Sequence, residues 1–193
     1  MSYAALVSHF SDVQDFPIQY SDVVEWIRSN TDHKIIELYA VPREKKAYRG
    51  AFRRTSVPIG GMYSHEFEIL TKIVYGNDLS QDWKNLVITK EALHVFDPPP
   101  MQVNTRDVVR DLIPSVIHSD LKSKLLPGFA DNFGPYRALP ILIPMNARSR
   151  LKATVDSGSK SIEEIAIYVD VPPEFVDLWL NYGERLYEAC MNY

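Results

Sequence analysis

The chain has 193 residues, 46% hydrophobic and 24% charged, with a formal net charge of −4. That is the balance of an ordinary globular domain, and a chain this long buries roughly 70% of its unfolded surface without a disulfide or metal. The lone cysteine, Cys190, excludes an internal disulfide and a cysteine zinc cluster. With no apolar run long enough to cross a bilayer and no secretory signal pattern, a cytoplasmic protein free of membranes is expected.

In chain order, residues 3–10 read as a short helix. Residues 21–30 read as a firmer one, with Ser21 as N-cap and Val23, Val24, Trp26 and Ile27 facing inward. Residues 34–41 alternate as a strand, Ile36, Leu38 and Ala40 on one face. Pro42 to Lys46 is a turn. Residues 47–54 are a second strand, in which Gly50 marks a bulge or a close backbone approach. Pro58-Ile59-Gly60-Gly61 is a loop, and His65-Glu66 a loop pair. Residues 66–75 suit either a strand or a helix. Their β-branched content and the turn at Gly76-Asn77-Asp78 favour the strand.

Residues 81–96 form the helix around which the rest is organised. Trp83, Leu86, Val87, Leu93 and Phe96 make an apolar stripe, Asp78 and Ser80 are candidate caps, and Pro98-Pro99-Pro100 ends it. Within it lies Lys90-Glu91-Ala92-Leu93-His94, the pattern H-E-x-x-H with lysine for the first histidine. That pattern aims two imidazoles at one zinc and sets a glutamate to deprotonate its water. A lysine ammonium has three donors and no lone pair for a metal.

Asn104-Thr105 would cap a helix at 106–118, and another piece spans 120–126. Residues 136–151 read as an apolar helix kinked at Pro140. After the linker Ser157-Gly158-Ser159-Lys160, the capping box Ser161-Ile162-Glu163-Glu164 opens a helix to Val169. A turn at Asp170-Val171-Pro172-Pro173 leads to a last helix from Glu174 to about Ala189. The boundaries are a main unit at 1–156 and a hairpin at 161–193.

Charge is polarised along the chain. Arg43 to Arg54 holds six bases and one acid, and 161–193 holds seven acids and one base. With Glu174, Asp177, Glu184 and Glu188 against Arg185 alone, the last helix is wrong for phosphates, so nucleic acid is not expected as a partner. Val176, Leu178, Trp179, Leu180 and Leu186 instead form a docking face, for the main body or a second copy of the chain. The basic stretch reads as a solvated strand face. Tyr48 and Phe52 interleave with it, as a stacking surface for a nucleic acid or regulator would require.

The order strand, strand, helix with x-E-x-x-H, apolar helix ending in Ile143-Pro144, and helical hairpin resembles the ImmA/IrrE family of gluzincin-like metallopeptidases, over roughly residues 34–190. Leu86–Phe96, Arg137–Pro144 and Ser161–Leu180 carry the resemblance. It implies a zincin-like α+β fold with a small, mainly antiparallel sheet. Residue by residue, it implies that Glu91 matches the general base and His94 the second zinc histidine, while Lys90 stands at the first. The third ligand position falls on Phe133, and the nearest acid is Asp131. The expected protein is therefore catalytically silent and binds no cofactor. It would act on a protein partner, a repressor or regulator, in phage or mobile-element regulation, with a homodimer as a further possibility. Lys90 would then need a carboxylate, Asp131 rather than the adjacent Glu91. The alternative is an active zinc endopeptidase that cleaves a repressor with an altered ligand set drawn from His94, Asp131, Glu66 and His65.

Overall fold

The computed structural model describes residues 1–42, 50–59, 66–97 and 127–192. The chain is α+β: among the described residues, seven α-helices surround a mixed three-stranded sheet. The elements expected at 106–118 and 120–126, the turn residues 43–46 and Gly60-Gly61 lie outside the described residues; Pro58 and Ile59, expected in a loop, are the end of a strand instead.

Helix α1 (Tyr3–Phe10) is capped by the Ser2 side chain, which accepts the Ala5 N–H. Helix α2 (Tyr20–Asn30) starts earlier than its sequence suggests. Asp22 accepts the N–H of Gln19 at 3.0 Å, so the cap falls at Gln19 and not at Ser21.

Strands β1 (Ile35–Val41), β2 (Gly50–Ile59) and β3 (Glu66–Gly76) are ordered β1-β3-β2. Residues 66–75 are thus strand and not helix. β3 pairs parallel with β1 and antiparallel with β2, so the sheet is mixed where a mainly antiparallel one was expected. The reason lies in β3, whose Thr71 and Ile73 are wholly buried. The strand with the driest inner face takes the centre, and β1 and β2 become opposite edges. The register sets Ile36 beside Thr71, and Leu38 and Phe52 on either side of Ile73.

His33, just before β1, is 5% exposed, with Nδ1 2.6 Å from Thr71 Oγ1. Burial and then the charge of Arg54 push its pKa down to about 4. The unfolded chain takes up this proton near pH 6.5. Between the two values the unfolded state holds more protons, so stability is complete above about pH 6.5 and is lost as the pH falls toward 4. Urea melts should show a loss of about 3 kcal/mol over that window, and His33→Gln should flatten it. An equal slope in the variant would assign the acid sensitivity elsewhere.

Helix α3 (Gln81–Ala92) crosses behind the sheet. It is buried on every side from Asn85 to Ala92, not along one stripe, because α2, β2, β3 and the helix at Pro127–Leu142 all pack on it. Asn85 is wholly buried and fully satisfied. Its Oδ1 accepts the Tyr20 N–H at 2.6 Å, and its Nδ2 donates to the carbonyls of Ile18 at 3.0 Å and Asp170 at 3.1 Å. The α-helix stops before Phe96. Leu93–Phe96 tighten into a 3-10 turn, and Asp97 is extended with ψ 138°. The residue before a proline is driven out of the helical region, and Pro98 follows.

Helix α4 (Pro127–Leu142) and α5 (Met145–Asp156) are separate helices. The break falls at Pro144, not at Pro140. Pro140 has no N–H for the carbonyl of Tyr136, four residues back. The thiol of Cys190 donates to that oxygen at 3.5 Å, so α4 continues past the proline.

The hairpin is as its sequence indicates. In α6 (Ile162–Val169) Ser161 and Glu164 form the capping box, at 2.8 and 3.2 Å. Helix α7 runs Pro173–Met191. Its apolar face is docked on the main body: Val176, Trp179 and Leu180 are at most 1% exposed and belong to the continuous core. Trp179 Nε1 donates to the Ile143 carbonyl at 2.8 Å. Arg148 of α5, buried, donates to the carbonyls of Trp179 and Leu180, both at 2.8 Å. Among the described residues no helix is long and apolar enough to cross a membrane.

Candidate functional site

The site lies where the end of α3 and its 3-10 turn meet β2 and α4. Lys90 and Glu91 close the α-helix, His94 sits in the tighter turn, and Asp97 follows it. Arg137 reaches in from α4. Among the described residues, five ionisable side chains form a line. Lys90 Nζ is 2.8 Å from Glu91 Oε1, and Glu91 Oε2 is 3.6 Å from His94 Nε2. His94 Nδ1 is 2.5 Å from Asp97 Oδ2, and Asp97 Oδ1 is 2.5 Å from Arg137 Nη1.

All five are nearly dry. Side-chain exposure is 10% for Lys90, 2% for Glu91, 13% for His94, 0% for Asp97 and 3% for Arg137. Buried charges are tolerated only when paired, and here they alternate: cation, anion, imidazole, anion, cation. Burial alone would raise the carboxyl pKa of Asp97. The hydrogen bond and charge of His94, with those of Arg137, outweigh it and hold Asp97 below its ordinary value. Asp97 is therefore an acceptor, which makes His94 Nδ1 the donor and turns Nε2 toward Glu91. At 3.6 Å that last approach is too long for a hydrogen bond. Beyond Arg137, the hydroxyl of Tyr3 donates to its backbone carbonyl at 2.8 Å, and the guanidinium lies 4.9 Å over the Tyr3 ring.

Two glycines shape the walls. A Cβ on Gly50 of β2 would lie 2.7 Å from Glu91 Oε1 and 2.6 Å from Val87 Cγ1. The position therefore serves close approach, one of the two roles its sequence suggested. A Cβ on Gly134 of α4 would lie 2.8 Å from both Cγ and Cε of Lys90. Two positions along β2 from Gly50, the ring of Phe52 faces His94 with centroids 5.6 Å apart. The stretch Gly50-Ala51-Phe52 thus serves the buried site. Arg53 and Arg54 are the described part of the basic run, Arg53 exposed and Arg54 half-buried; Arg43, Lys45, Lys46 and Arg49 lie outside the described residues.

Of the residues singled out from sequence, Lys90, Glu91 and His94 are brought together. Lys90 meets the adjacent Glu91; the expected pairing with Asp131 falls on a side chain outside the described residues. The Lys90 stem lies along Gly134 and the Glu91 side chain against Gly50, which lets the ammonium and carboxylate converge. The side chains of Asp131, Phe133 and Glu66, and all of His65, lie outside the described residues. Sequence reasoning missed Asp97 and Arg137. The three-residue step from His94 to Asp97 was available as a signal, since one helical turn brings such a pair together.

The described residues do not by themselves make a zinc site. A zinc site needs at least three donors. Among the described residues no three His, Cys, Asp or Glu side chains are grouped to hold a metal ion. Glu91 carries the Lys90 ammonium on one oxygen and faces His94 with the other, so it is not poised to take a proton from water. No family model, curated protein or solved structure matches the chain.

Proposed function

We propose that the chain is a catalytically silent, metallopeptidase-like protein of zincin-like fold, related to the ImmA/IrrE family, that acts by binding a protein. The observation that carries this reading is the buried Lys90–Glu91 pair at 2.8 Å, where the motif calls for a metal ligand beside a free general base. The docked hairpin supports it: the apolar face of α7 is internal, and its exposed face carries Glu174, Asp177, Glu184 and Glu188. Such a surface suits a protein regulator, for example a repressor encoded on a phage or mobile element, and not a nucleic acid. One observation favours the alternative of an active zinc endopeptidase. Asp97 on His94 Nδ1 is the support that metal-bound histidines receive from outer carboxylates.

Elemental analysis decides between them. Protein incubated with zinc and dialysed should retain far less than one zinc per chain. About one tightly held zinc per chain, or cleavage of a repressor that ethylenediaminetetraacetate stops, would establish the peptidase instead.

A further inference from the structure

We infer that the cation of this site is built into the chain: the Lys90 ammonium is the permanent counter-ion of Glu91 where α3 packs against β2 and α4. The inference rests on the silent reading and explains what replaces a metal ion. Glu91 is 2% exposed and pressed by Gly50, so a carboxylate there calls for a close cation. His94 Nε2, at 3.6 Å, is too far to serve as a hydrogen-bond donor, whereas Lys90 is within 2.8 Å. The Lys90 stem takes the space a side chain at 134 would fill, so the lysine is built into the packing of α4 as well. Among the described residues of the site, Lys90 and Arg137 balance Glu91 and Asp97. Neutralising Lys90 leaves a buried excess of negative charge, the costly way to break such a pair.

The test is a thermal double-mutant cycle on the full chain with Lys90→Met, which keeps the stem and removes the charge, and Glu91→Gln. Lys90→Met should lower Tm by roughly 10 °C. Lys90→Met/Glu91→Gln should recover most of that loss, and neither zinc nor chelator should shift the Tm of the unmodified protein. If Lys90→Met does not fold, a double variant that does fold makes the same point. The inference fails if Lys90→Met melts with the unmodified protein, or if the double variant is no more stable than Lys90→Met. One retained zinc per chain sinks the silent reading and this inference together. A zinc-free protein without coupling sinks this inference alone.

Discussion

Trp179→Ala should destabilise the protein by about 3–5 kcal/mol in urea denaturation. The ring is fully buried in the continuous core, so its removal costs both the transfer of a large apolar group and a cavity that rigid helices cannot close. It also removes the Nε1 donor to the Ile143 carbonyl, at the break between α4 and α5. Trp179→Phe should separate the terms, costing about 1–2 kcal/mol through the lost hydrogen bond and smaller ring. A loss below about 1 kcal/mol for Trp179→Ala would mean that the hairpin is only loosely attached.

Gly183→Ala should cost about 2–4 kcal/mol, although the same change in an ordinary helix interior gains roughly 0.5–1 kcal/mol. The sign reverses because a Cβ there would lie 2.3 Å from Arg148 Nε and 2.6 Å from its Cδ. Arg148 cannot step aside, since its guanidinium is held by the carbonyls of Trp179 and Leu180 and faces Glu184 at 3.3 Å. Moving it would leave a buried cation short of acceptors. In an Arg148→Ala background the added methyl has room, and Gly183→Ala should become neutral or stabilising. A cost that persists in that background would place its origin in the helix itself.

How much of this was legible in the sequence depends on whether the cause was local. The hairpin read cleanly, because Ser161 and Glu164 satisfy each other across one helical turn and Pro172-Pro173 mark the next start. The period-two pattern of β3 likewise survived its helical alternative. Sheet order did not, because the pairing of β3 with both neighbours is decided by burial across the molecule and leaves no trace in the spacing of β1 and β2. The one-sided stripe assigned to α3 failed for a related reason. Asn85, Lys90 and Glu91 look like surface residues until their partners, supplied by the rest of the fold, are in place. The motif identified the right helix and three of the five ionisable residues described at the site. Asp97 escaped because it belongs to the turn after the helix, and Arg137 because its partner lies 40 residues earlier.

Asn85 bears on how the chain assembles. Its amide is satisfied only when the loop before α2 and the turn of the C-terminal hairpin both reach it, across separations of 67 and 85 residues. The centre of the molecule therefore waits for its two ends. A chain cut before the hairpin would bury an amide short of one acceptor and bare the floor on which Trp179 rests. The hairpin is therefore part of the environment that completes α3 and not an appendage to it.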